Sequence, residues 1–438
     1  MGSRRHLSRR ALLASVGSAA ATAAAAGCTA PAKSPDTSTT APPDAADGSQ
    51  SERGEAPDPR LSLSSDDEWT TYGYDGGHTG YNPRASAVGD TATSVWESGV
   101  DGIYTLREPA VADGRLFVGS KQTMWAFDAA TGEDEWKTHL GGMAHHFAPT
   151  CRDGTLYTVA KEGAGVDTGA PGSVQALSAS SGGKLWSTAV PATSTVAHDG
   201  SRLYVAGKEA GAGYVRALDP ESGDRGWRFE VPDADRSSVT GAPAHADGTV
   251  YVAATLLADD GSTSGRLYAL DPDDGGRVEW SVGTAGALDV APVVTGDRAF
   301  VAARDGTVHA FTLAGDTAWT ADTGATIYSR PTHADDRLFV VTTGDVVALD
   351  PGGEEAWRAG SERTQMTGAT VAGDTLYVGG EPLFALDTAT GDVRFDLPVD
   401  QYHGAYGAPV AAGDAMFVGV CIKDTAGARY DNYVRAYT

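Results

Sequence analysis

From residue 107 to residue 438 the chain repeats one phrase eight times. Each copy opens on Pro or a replacement for it, runs through a short apolar strand, and turns at Asp-Gly or Gly-Asp. A second strand follows, such as Arg115-Leu116-Phe117-Val118-Gly119, then a third that closes on Ala, then a Gly turn and a strand carrying Trp. The first copy ends Ala126-Phe127-Asp128-Ala129-Ala130-Thr131-Gly132-Glu133-Asp134-Glu135-Trp136. The opening positions are Pro109, Pro149, Thr195, Pro243, Pro292, Pro331, Ala369 and Pro409, spaced 38 to 49 residues apart. The closing Ala recurs at Ala126, Ala176, Ala217, Ala269, Ala310, Ala348, Ala385 and Ala436. The Trp recurs at Trp136, Trp186, Trp227, Trp280, Trp319 and Trp357, and Phe395 replaces it in the seventh copy. Within a copy, apolar residues alternate with period two between Gly, Asp and Pro turns. Four antiparallel strands per copy make a propeller blade, which buries both faces only by stacking on neighbours round a channel. The expected fold is all-β, an eight-bladed β-propeller of four-stranded antiparallel blades.

The eighth copy ends at Ala436-Tyr437-Thr438 without a Trp strand. A matching strand, Thr93-Ser94-Val95-Trp96-Glu97-Ser98, precedes the first copy. This N-terminal strand is expected to complete the eighth blade and close the ring, which removes an exposed edge. A Trp at one phase of every repeat reads as packing between blades. Burying about 150–250 Å² at about 25 cal/mol/Å² is worth on the order of 4–6 kcal/mol gross per Trp. The Gly before each Trp supplies a backbone conformation that other residues resist. Asp128, Asp219, Asp271, Asp350 and Asp387 are expected to cap that turn through their side chains.

The phrases "ADGRLFVGS…WAFDAATGEDEW", "ADGTVYVAA…LYALDPDDGGRVEW" and "AGDTLYVGG…LFALDTATGD" resemble the pyrroloquinoline-quinone (PQQ)-like repeat family. That family includes quinoprotein alcohol dehydrogenases and the outer-membrane barrel-assembly lipoprotein. The resemblance covers about residues 67–438. The segment Trp69-Thr70-Thr71-Tyr72-Gly73 and His78-Thr79-Gly80-Tyr81-Asn82-Pro83 resembles the lead-in of prokaryotic members. For the quinoprotein enzymes the resemblance implies a vicinal Cys pair, a Ca²⁺ held by Glu, Asn and Asp, and an Asp base. Here no Cys-Cys occurs, the only Asn residues are Asn82 and Asn432, and Asp289 alone stands where a base is wanted.

Residues 1–28 read as an export signal. Ser8-Arg9-Arg10-Ala11-Leu12-Leu13 resembles a twin-arginine motif, and Ala25-Ala26-Gly27-Cys28 resembles a lipobox. Cys28 is therefore the expected lipidation site, with an ordinary cleaved signal as the alternative. Residues 29–66 are rich in Thr, Ser, Pro, Ala and Asp and are expected to form a disordered linker. Residues 67–438 are the expected propeller. Cys151 and Cys421 fall in blades two apart and are expected to be small buried hydrophobes rather than a disulfide.

Formal net charge is −25, and Lys is scarce beside Arg. Such composition suits a halophilic, haloarchaeal-type exported protein and argues against nucleic-acid partners.

The residues just before each opening position differ between copies while the scaffold repeats. Three positions upstream stand Leu106, His146, Ala192, Thr240, Asp289, Tyr328, Met366 and Tyr406, with Tyr104, Arg107, His145, Arg330, Gln365, Tyr402 and His403 nearby. The expected ligand ring at the channel mouth is His146, Asp289, Tyr328, Arg330, Tyr402, His403 and Tyr406. Unconstrained loops would vary in the same way. Adjacent His145 and His146 point in different directions on a strand, and no Cys or carboxylate stands at a ligand spacing, so no metal site is expected. No catalytic set is expected either. The leading functional expectation is a monomeric, non-catalytic propeller. It binds a protein or cell-envelope component and is held on the outer face of the cytoplasmic membrane by lipid on Cys28. The alternative is a PQQ- and calcium-dependent oxidoreductase.

Salt near 1 M shortens the Debye length to about 3 Å and screens the self-repulsion of this acidic chain. The melting temperature is expected to fall as salt is lowered from that level. Thermal melts across a salt series check it.

Overall fold

The computed structural model describes residues 61, 63–102, 106–144, 146–163, 169–232, 236–360, 367–380, 383–397, 403–405, 407–423 and 430–438. Alternating burial places the strands in eight sheets, one per repeat. Blade 1 is typical, with Ala110–Ala112 innermost, then Arg115–Ser120, Thr123–Asp128 and Asp134–His139 outermost. The inner three strands are almost wholly apolar and buried, whereas the outer strand alternates exposed and half-buried positions. Blade 8 is made from both ends of the repeat array. Val410–Ala412, Ala415–Lys423 and Tyr430–Tyr437 take their outer strand from Ser94–Val100, with Trp96 opposite Ala436. Thr93 and Thr438 exchange backbone hydrogen bonds of 2.8 and 3.0 Å. The ring is closed as the repeat pattern predicts.

The Trp of each outer strand reaches into the next blade. Trp96, Trp136, Trp186, Trp227, Trp280, Trp319 and Trp357 donate their indole N–H to carbonyls of Ala129, Ala179, Pro220, Pro272, Leu313, Pro351 and Thr388, at 2.9–3.1 Å. Each ring lies on a turn Gly of the receiving blade. A methyl placed on Gly132, Gly182, Gly223, Gly276, Gly315, Gly353 or Gly391 would sit 2.5–2.8 Å from ring carbons. The Gly therefore does more than supply a turn conformation; it leaves the seat for the preceding blade's Trp. Phe395 breaks the pattern for a topological reason. The third and outer strands of blade 8 come from distant parts of the chain, so no turn joins them and no carbonyl waits for an indole. Phe395 packs instead with Ala411, Met416 and Tyr437. The five expected Asp caps are present; Asp128, for example, accepts from the Ala130 and Thr131 amides at 3.0 and 2.8 Å. Cys151 and Cys421 are buried and unbridged.

The lead-in winds round the inside of the ring. At the same repeat position, two residues past the opening one, six blades donate a backbone N–H to it. Val111 and Cys151 bond the carbonyls of Trp69 and Thr70, His245 and Val294 those of Gly76 and Gly77, and His333 and Val371 those of Thr79 and Gly80, at 2.7–2.9 Å. The Asn82 amide then donates to the Ala411 carbonyl of blade 8 at 2.9 Å. Propeller packing begins upstream of residue 67, within the stretch read as linker: Leu61 is buried in the cluster holding Trp69 and Trp96, with Leu63 against it. The two leucines are apolar enough to dock beside Trp69. Of the sequence expectations, Cys28 and residues 1–60 fall outside the described residues.

Gly275 and Gly276 share a left-handed conformation, with φ of 66° and 76°. A methyl on Gly275 meets nothing within 4 Å, whereas one on Gly276 sits 2.5 Å from Trp227 Cε3. Gly275→Ala is expected to cost about 1–2 kcal/mol of backbone strain. Gly276→Ala should add about 1–3 kcal/mol for unseating the ring. Denaturant unfolding of the two variants side by side measures the seat alone.

Candidate functional site

Antiparallel alternation puts two sets of connections on one face of the ring: the loops that lead into each innermost strand, and the hairpins between second and third strands. They surround a cavity of about 760 Å³ to which all eight blades contribute. The residues just upstream of the opening positions do line it, from Arg107 and Glu108 in blade 1 to Gly407 and Ala408 in blade 8.

The floor is built on the lead-in. Glu108 and Arg330 form a buried ion pair at 3.4 Å, with side-chain exposures of 4% and 2%. Glu108 Oε1 also accepts the Trp69 indole N–H at 2.9 Å and the Gly73 amide at 2.7 Å. The Arg330 guanidinium lies 5.2 Å from the centre of the Tyr72 ring. It passes Gly73 and Gly80, where a methyl would come within 3.1 and 2.4 Å of it. Removing one member of such a buried pair strands the other charge and costs about 3–5 kcal/mol. Behind the floor, the buried ring of His78 meets Tyr72 edge-on at 5.2 Å, and its Nδ1 lies 3.3 Å from the Pro292 carbonyl. Burial and the neighbouring Arg330 push the His78 pKa down to about 3, so it is neutral.

The wall carries a second network. Asp289 accepts from Arg304 Nε at 2.5 Å and from the Thr255 hydroxyl at 2.9 Å. The Arg304 guanidinium lies 5.4 Å from the centre of the Tyr328 ring, and Tyr328 is 63% exposed. His146 is half-buried and packs edge-on against Phe147. Lys208 and Arg236 join the lining from blade 3's second strand and the strand that leads into blade 4.

The structure thus brings His146, Asp289, Tyr328 and Arg330 to one cavity, with Arg330 committed to its floor. Leu106 and Ala192 are buried away from it. His403 lies in the strand His403–Ala405 of blade 8. Tyr104, His145, Gln365, Met366, Tyr402 and Tyr406 lie outside the described residues. Sequence reading missed Glu108, Lys208, Arg236 and Arg304. It searched only upstream of the opening positions, and the second-to-third-strand hairpins, which reach the same face, held Lys208 and Arg304.

A calcium-bound quinone would need several oxygen ligands converging in this cavity. Among the described lining residues the only carboxylates are Glu108 and Asp289, and each is already bonded to an arginine. The Asn82 amide is spent on the Asp67 and Ala411 carbonyls. The described residues do not fit that cofactor.

A family model described as outer membrane protein assembly factor BamB matches residues 83–170, 170–283, 263–347 and 342–437. Solved structures similar to the chain include quinohemoprotein alcohol dehydrogenase from Comamonas testosteroni, at 15% identity and TM-score 0.66, over 86% of this chain and 81% of that one. BamB from Moraxella catarrhalis aligns at 16% identity and TM-score 0.58, over 80% and 98% of the two chains. A europium-containing methanol dehydrogenase aligns at 12% identity and TM-score 0.67, over 85% and 98%. At such identities the likeness is one of fold. No curated protein matches the chain in sequence.

The neutral His78 gives the floor a pH dependence. Unfolded, its pKa is near 6.5; folded, it is about 3. Between those values the unfolded chain binds the extra proton, so stability present above about pH 6.5 is lost as pH falls toward 3. Wild type is expected to lose more stability than His78→Gln between pH 7.5 and 4.5. Urea unfolding at both pH values, in constant salt, reads the difference.

Proposed function

Because this chain belongs to the PQQ-like repeat family of propellers described by outer membrane protein assembly factor BamB, we propose a function of recognition rather than catalysis. The propeller is a non-catalytic scaffold whose mouth cavity receives a protein or envelope component. One observation carries this reading. The cavity is lined by all eight blades at the positions where the repeats disagree, yet its only described carboxylates are bonded to arginines. Such a site offers shape, hydrogen-bond donors and an exposed aromatic ring, the features of a binding surface. It leaves no described carboxylate free for base catalysis. The chain is exported through the twin-arginine-type signal and held by lipid on Cys28, with the linker that follows Cys28 as a stalk. In this reading His146 and Tyr328 contact the ligand, and Asp289 and Arg304 orient Tyr328.

Pull-down from envelope extract in high salt tests the reading. His146→Ala and Tyr328→Ala are expected to weaken capture several-fold with little change in melting temperature, since both side chains sit at the cavity surface. Trp227→Ala should cost about 3–5 kcal/mol of stability through its inter-blade seat. Equal stability losses in all three variants would make the ring a structural feature only. Adding PQQ with Ca²⁺ tests the rival reading; a saturable quinone spectrum with dye reduction would install the oxidoreductase instead.

A further inference from the structure

We propose that the mouth cavity binds a carboxylate-bearing ligand of small-molecule size, such as a short acidic saccharide. This rests on reading the cavity as a recognition site and names the chemistry it recognises.

The first support is a local inversion of charge. The chain has 33 Lys and Arg against 58 Asp and Glu. The described cavity lining has five, Arg107, Lys208, Arg236, Arg304 and Arg330, against two, Glu108 and Asp289. Both acids are bonded to an arginine within the lining. Arg107 and Arg236 are exposed and have no carboxylate partner among the described residues. In so acidic a chain, Arg107 and Arg236, placed in a concavity with no described carboxylate partner, are a field aimed at an anion. The planar guanidinium fork matches a carboxylate in two-point geometry.

The second support is the surface between those cations. Thr240 and Thr263 contribute to the lining; the Thr240 hydroxyl donates to the Asp289 carbonyl at 2.8 Å and can still accept from a hydroxylated ligand, and the exposed Thr263 can donate or accept. At the rim Tyr328 presents an exposed ring face, with Arg304 beside it. Carboxylates for Arg107 and Arg236, hydroxyls for the wall and a ring for Tyr328 describe one ligand chemistry. The volume of about 760 Å³ falls within the roughly 300–1,000 Å³ of small-molecule sites.

The test is calorimetric titration of the full chain with three probes: trigalacturonate, its neutral methyl ester, and citrate. Saturable binding of either acid, none of the ester, and a loss of about tenfold or more in an Arg107→Ala/Arg236→Ala double variant are expected. The double variant should melt at the wild-type temperature, because both side chains are exposed. Trigalacturonate binding more tightly than citrate assigns the carboxylate to a saccharide; citrate binding as tightly assigns it to a simple polycarboxylic acid. Ester binding equal to the acid, wild-type affinity in the double variant, or no saturable binding of either acid would each overturn the proposal. Should the acids fail while the pull-down still recovers a partner, only the ligand chemistry falls; should both fail, the recognition reading falls with it.

Discussion

Eight innermost strands line the channel, and the backbone N–H groups on their inner edges have no strand to pair with. Left buried and unpaired, each would cost about 1–3 kcal/mol. The lead-in satisfies six of them at one repeat position, blade after blade, through consecutive or nearly consecutive carbonyls between Trp69 and Gly80. The same turn of chain delivers Trp69 and Tyr72 to Glu108 and Arg330. The floor of the cavity is thus a by-product of satisfying the inner edge. It cannot be loosened without exposing those donors, so the cavity opens on a fixed base.

The outer ring is held by a different device, one Trp on one Gly at each seam. The pair is asymmetric: the indole belongs to one blade, and its seat and carbonyl belong to the next. Blades are therefore joined head to tail, which a closed ring can sustain all round only if every blade has a turn to offer. Blade 8 has none, because its outer strand Ser94–Val100 arrives from upstream of the array. The seventh seam accordingly uses Phe395, which asks for apolar contact and no hydrogen-bond acceptor. Closure of the ring and the one exception in the Trp series have the same cause.

Blade number, strand order and ring closure were legible in the sequence because each rests on a local pattern repeated eight times. So were the Asp caps, since Asp128 and its equivalents act within four residues of themselves. The seat role of Gly276 and its equivalents was half legible. The turn shows in the chain, but the ring that fills it comes from another blade, some 30 to 50 residues away. The cavity floor was illegible for a related reason. Glu108 and Arg330 are 222 residues apart, and nothing in the residues around either names the other. Arg330 reads as a mouth residue by position and lies in the mouth, yet its guanidinium is bonded below it.

The two networks divide the charged residues of the cavity by depth. At the floor, Arg330 and Glu108 are sealed from water, so their pairing is a condition of folding. At the wall, Arg304 and Asp289 are partly exposed, and such a pair contributes little to stability by itself. Its geometric consequence is larger: it holds a guanidinium beside the exposed ring of Tyr328. Arg107 and Arg236 belong to neither network. On the acidic-ligand proposal, their place in the concavity follows from what the cavity receives.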